Sequence, residues 1–335
     1  MDYINYVKQS PIAGFMGYGG GATNLGFYSS SSVGGPRGIY ANGGPVQSSI
    51  DFITINTTGN ATNFGNLTQA RRLMGGCSNG TRGCFAGGYT SFTPSNVIDY
   101  ITINTESNAT DFGDLTMTRH RCGGLGNVSP GRGVFVTCED SPAKESMDYI
   151  TIASTGNASD FGDCTPNRWG TGCCASTTRG IIAGGYTPSS GPASTWSSNA
   201  ISYITIANTG NTTDFGDLQR QKQVVGACDN DTRACFGGGN WQSGNYTDEI
   251  GYVTIASTGN STDFGNMVNS RGYTAGTNDK TPGVDRGVFG GGFDDTACMT
   301  DIDYITISST GNASDFGDLT TGRMSPGAAS GGDAA

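Results

Sequence analysis

One histidine, His120, is all that the 335 residues provide. Histidine-based metal sites and Ser-His-Asp triads therefore have almost no material. Charge is scarce too: Asp, Glu, Lys and Arg make up 14% of the chain, and 28 acids against 18 bases leave a net charge of −10. Phosphate binding needs a basic face, so the balance argues against a nucleic-acid partner. No apolar run approaches the roughly 20 residues of a membrane span. The opening MDYINYVKQS lacks the apolar core of a signal peptide. Gly19-Gly20-Gly21 is neither a P-loop nor a dinucleotide fingerprint. The expectation is a soluble chain made in the cytoplasm, with no membrane insertion.

What the chain has in abundance is glycine, 56 residues, set beside β-branched and aromatic positions. That mixture reads as all-β with many tight turns. The stretch Ile98–Leu115, IDYITINTESNATDFGDL, recurs from Ile50, Met147, Ile201, Ile250 and Ile302, making six copies. Their spacing of about fifty residues lies in the range of propellers and solenoids. Each unit holds four strand candidates. The second is an Arg-led apolar run ending in glycines, as in RGCFAGG from Arg82. The third is the alternating DYITI run, and the fourth is the short DFGDL segment. A TTGNAT-type turn joins third to fourth, and Gly-Asn suits positive backbone φ there. The first strand of the next blade is expected to begin at a basic residue, as in RRLMGGCSN from Arg71.

Ten cysteines would suggest disulfides in a small secreted protein. Here Cys84 and Cys235 stand where other copies have Ile39, Val134, Ile181 and Val288, and Cys164 stands where others have leucine or methionine. They read as reduced thiols in apolar positions. Cys77 with Cys84, and Cys228 with Cys235, are left as candidates for a cross-strand bridge.

These repeat features resemble the kelch repeat: an Arg-led strand, an apolar strand ending in a double glycine, a Tyr-bearing strand, then aromatic-x-x-Leu. In kelch proteins each repeat is one four-stranded propeller blade, with an aromatic, usually Trp, in the place of Phe112. The likeness covers residues 33 to 331, departing at Thr137-Cys138 and in Phe for Trp throughout. It implies an all-β, six-bladed kelch-type β-propeller over residues 33–335, four antiparallel strands per blade, its ring closed by a terminal strand. We expect Arg323–Gly332 to complete the blade begun by Pro36–Gly44; Gly26–Gly34 is the alternative. The Gly/Ser-rich residues 1–32 then form an N-terminal arm. Some kelch-type propellers are copper oxidases, but their several His and Tyr ligands have no counterpart here. No cofactor is expected.

Two basic rings follow the repeat: Arg37, Arg82, Arg132, Arg179, Arg233, Arg286, and Arg71, Arg119, Arg168, Lys222, Arg271, Arg323. A charge present in every copy serves what every blade needs, so these read as structural. Their expected partners are the DFGD carboxylates, Asp111, Asp160, Asp214, Asp263 and Asp315 with Asp114, Asp163, Asp217 and Asp318. Sequons such as Asn60-Ala61-Thr62 recur in the turn and read as turn chemistry. Gly76-Cys77-Ser78-Asn79-Gly80 matches G-x-S-x-G but falls at a hairpin, not a strand-to-helix elbow.

The copies disagree mainly between second and third strands. Those loops open on one face and gather Tyr89, Phe92, Tyr186, Trp196, Trp241, Tyr246 and Phe293. Variable aromatic loops on a rigid scaffold suit recognition of sugar or protein. The wording DYITIASTGNATDFGDLT followed by R…RG(V/I)FAGG resembles kelch-like proteins of marine cyanobacterial phages, often tail-fibre or other virion-associated proteins. That resemblance implies a non-enzymatic virion protein attaching to host-surface glycan or protein, with residues 1–32 as an anchor to other virion proteins. A purely architectural tail or capsid-decoration role is one alternative. A polysaccharide-active enzyme is the other; its carboxylates would come from Glu139, Asp140, Asp248, Glu249, Asp294 and Asp295.

Overall fold

The period-two runs become strands, and each repeat becomes a sheet. The computed structural model describes residues 36–91, 93–136, 145–187, 197–242, 245–279 and 285–331. It shows six four-stranded antiparallel sheets arranged as the blades of a propeller. The unit starts at Pro36; the arm assigned to residues 1–32 and the strand candidate Gly26–Gly34 lie outside the described residues. In blade 2 the strands run from the inside outward as Gly75–Ser78, Arg82–Ala86, Ser95–Thr102 and Thr110–Arg119. Blade 1 is composite. Its inner strand is Gly327–Gly331 from the C-terminus, paired antiparallel with Arg37–Ala41 so that Ala329 faces Ile39. The basic residues expected to open first strands instead finish or follow the outer ones, Arg71 and Arg119 each ending a fourth strand.

A bulge explains why the DYITI run buries two neighbours in a row. In every blade the register between third and fourth strands shifts at this point, between Ile98 and Asp99 in blade 2. Ile98 faces Gly113 and Asp99 faces Asp111, so Phe112 is the extra residue. Ile98 and Asp99 both turn inward as a result. Phe112 packs edge-on against Tyr100, ring centroids 5.9 Å apart. The apolar side chains form six clusters, each spanning two adjacent blades; one joins Ile39 and Ile50 to Phe85, Ile101 and Ile103. Each such side chain stabilises by about 1.5–3 kcal/mol.

The basic rings are structural, but their partners differ from those expected. Arg71, Arg119, Arg271 and Arg323 pair with Asp99, Asp148, Asp303 and Asp51 of the third strand, at 2.6 to 3.2 Å. The DFGD aspartates take no part in these pairs: Asp111 and its equivalents lie exposed on the outer strand. Asp99 also accepts from the Thr68 amide and hydroxyl of blade 1. Each such carboxylate thus ties a blade to the preceding outer strand. Among the described residues, the other ring pairs with none of the recurring aspartates. Arg82 sits 4.5 Å over the Tyr100 ring and donates to the Ile152 and Ala153 carbonyls of the next blade at 3.3 and 3.0 Å. The pattern runs on through Arg132, Arg179, Arg233 and Arg286, the last reaching Ile55 of blade 1. Arg37, which reaches Ile103, also pairs with Glu106 at 3.0 Å.

The sequon asparagines have a matching role. Asn157 Oδ1 accepts from the Asp114 amide of the preceding blade at 3.0 Å, and Asn60, Asn108, Asn211, Asn260 and Asn312 do the same around the ring. Backbone bonds flank them, Gly156 N–H to Phe112 O and Ala158 N–H to Asp114 O, both 2.8 Å. Every outer strand therefore has its edge covered by its neighbour's turn.

Two blades lack the carboxylate. Arg168 meets Ser202 Oγ at 2.9 Å, and Lys222 donates to the carbonyls of Phe236 and Glu249. Burial pulls Lys222 down to about 8 from an ordinary 10.5. Below pH 8 both folded and unfolded states carry the proton, and the folded state bears the full cost of a buried ammonium. Between about 8 and 10.5 the unfolded chain binds more proton, so this group makes stability rise with pH. Lys222→Met should remove that rise. Urea midpoints measured from pH 7 to 10.5 should converge between wild type and variant as pH increases; parallel curves would refute it.

Candidate functional site

The second-to-third-strand loops share their face with the linkers that lead from each outer strand to the next inner strand. Backbone bridges join the two: Arg72 with Tyr89, Trp169 with Tyr186, Gln223 with Asn240, and Gly272 with Phe293. Of the aromatics expected here, Phe92 and Trp196 lie outside the described residues. The other five are brought to this face, in separate groups. Tyr89 packs on His120 at 5.2 Å, Tyr186 stacks on Trp169 at 4.3 Å, and Tyr246 meets Phe293 edge-on at 6.0 Å. Trp241 lies on an extra hairpin, Asn240–Gln242 with Asn245–Tyr246, that the four-strand pattern does not anticipate.

Cations complete these groups. The Arg121 guanidinium lies 4.4 Å over Trp169, Arg72 6.0 Å from Tyr89, and Arg220 5.3 Å over Trp241. Arg220 also pairs with Glu249 at 2.7 Å, both partly exposed, a rim contact worth about 0–1 kcal/mol. Arg72, Arg121, Trp169 and Arg220 were not legible as site residues from the loops alone. The available signal was the same one: linker positions also differ from copy to copy.

Toward the axis the linkers form a belt. Leu73, Arg121, Gly170, Val224, Tyr273 and Ser325 all have φ between 50° and 66°. Hydrogen bonds run from blade to blade: Arg121 to Leu73, Gly170 to Arg121, Val224 to Gly170, Tyr273 to Val224 and Ser325 to Tyr273, at 2.6 to 3.1 Å. A β-branched residue such as Val224 rarely adopts this conformation; the belt holds it there. Beneath it the inner strands close to a waist of Gly76, Gly124, Cys173, Ala227, Gly276 and Ala328, which divides the axial channel. The chamber on the loop side is about 120 Å³ and the opposite one about 400 Å³. Only the second reaches the size of a typical small-ligand site.

The candidate enzymatic carboxylates differ in setting. Glu249 is paired with Arg220, and Glu139 and Asp140 lie outside the described residues. Asp294 accepts from Thr296 and the Ala297 amide of its own loop, which holds it down to about 2. A glycosidase general acid needs the opposite shift. Gly76–Gly80 is an inner strand and its hairpin turn. Among the described residues no group of three or more His, Cys, Asp or Glu is placed to hold a metal ion, and no helix is long and apolar enough to cross a membrane. No protein-family model matches the chain, and no curated protein matches it.

Proposed function

We propose that this chain is a non-enzymatic binding propeller of kelch type from a phage particle, of tail-fibre or adhesin kind, whose variable loop face contacts host-surface glycan. The observation that supports binding is the concentration of Tyr89, Tyr186, Trp241, Tyr246 and Phe293, with Arg72, Arg121 and Arg220, on the face of the second-to-third-strand loops, whose content varies from copy to copy. Aromatic faces flanked by cations suit sugar rings and their acidic substituents. The virion setting rests on the repeat wording alone.

Stacking of Tyr186 on Trp169 favours a second, architectural reading, since rings packed on each other offer less surface to a ligand. Binding of labelled protein to marine cyanobacterial cells separates the two. Trp241→Ala with Tyr186→Ala should weaken binding by roughly tenfold or more while circular dichroism stays unchanged. Cell binding that is absent, or indifferent to both changes, would leave the architectural reading.

A further inference from the structure

Two blades carry cysteine at both members of the same cross-strand pair. Cys77 faces Cys84, and Cys228 faces Cys235, each joining the inner strand to the second strand in direct register. Elsewhere this pair is Leu125 with Val134, Cys174 with Ile181, Thr277 with Val288, and Ala329 with Ile39. Directly opposed residues in an antiparallel ladder have Cα atoms about 4.5 or 5.5 Å apart, and a disulfide accepts either. All four thiols are free.

All four thiols are buried, Cys77 at 3% exposure and the other three at 0%. The pairs differ in position: Cys77 lines the 400 Å³ chamber of the axial channel, whereas Cys228 and Cys235 line neither chamber. We propose that Cys77–Cys84 is a dithiol–disulfide site reached through this chamber by a small peroxide, with Cys228–Cys235 its sealed counterpart. The chemistry closes without another reactant. The Cys77 sulfur attacks one peroxide oxygen, the O–O bond breaks, and water leaves a sulfenic acid. The Cys84 thiol then attacks that sulfur and expels a second water, forming the S–S bond. The hydrogen bond to Cys84 and burial both raise the Cys77 thiol, so the reaction should be slow at neutral pH and accelerate as pH rises.

The test is hydrogen peroxide treatment of the folded chain, alkylation, and tryptic mass spectrometry without reduction. Cleavage after Arg72, Arg82 and Arg119 isolates each thiol of the pair, since Arg82 separates them. A species linking the peptides 73–82 and 83–119, two hydrogens lighter than their sum, should appear. It should form roughly tenfold or more faster than the link between 223–233 and 234–271. In Cys84→Ser, a dimedone adduct should accumulate at Cys77. Equal rates for the two pairs would overturn the channel route. Oxidation at Cys173 or Cys174 in place of the 77–84 link, or both thiols staying alkylatable, would overturn the site itself.

Discussion

Replacing Asp99 by alanine should cost about 3–5 kcal/mol, because it leaves a fully buried guanidinium without its carboxylate. Arg71 would keep the carbonyls of Gly87 and Val97, at 2.7 and 2.6 Å, but lose its 2.6 Å ion pair. Thr68 would lose its partner as well, and with it a tie between the first two blades. The blades without aspartate suggest a milder change. Arg168 is held by Ser202 Oγ and the carbonyls of Ala200 and Ile182, yet its burial lowers the guanidinium from its ordinary value. Asp99→Ser should therefore recover part of what Asp99→Ala loses. Urea unfolding of the three proteins checks both statements. A loss below about 1 kcal/mol for alanine would mean that carbonyls alone satisfy the cation.

Gly113→Ala is the second large effect expected. Its φ is 143°, a conformation rarely open to other residues, and a Cβ there would stand 2.6 Å from the backbone of Gly156 in the next blade's turn. Conformational strain of about 1–3 kcal/mol adds to about 1–3 kcal/mol for displacing that turn. Gly156→Ala separates the two contributions. Gly156 has φ of 151°, but a Cβ added to it would meet nothing within 4 Å, and its counterpart in blade 2 is Ser107. It should show the conformational cost alone. Thermal denaturation should rank wild type above Gly156→Ala and both above Gly113→Ala. Equal losses would mean the turn yields freely and does not clamp the outer strand.

Strand periodicity, the six copies and the polarity of the loops determined the blade count, the strand order within a blade and the face on which the copies diverge. All of these depend on local pattern: alternation sets a strand, Gly-Asn sets a turn, and repetition sets the number of blades. The partners of the arginines could not be obtained that way. Three aspartates recur in most copies, at Asp99, Asp111 and Asp114 in blade 2, and sequence spacing does not rank them. The bulge at Phe112 decides the matter by turning Asp99 inward beside Ile98, while Asp111 stays in water. Only the buried carboxylate has the low-dielectric surroundings in which an arginine must be paired.

The candidate site divides the same way. Tyr89, Tyr186 and Trp241 could be placed on one face from strand alternation alone. Their cationic companions Arg72, Arg121 and Arg220 come from linkers that meet the loops only once the inner strands converge. The axial belt and the waist at Gly76 and Gly124 also exist only in the assembled ring, because each is built from one residue per blade. Local sequence therefore determined each blade and its exposed face; convergence of six blades on one axis decided which side chains are neighbours, and so which charges pair and what the loop face presents.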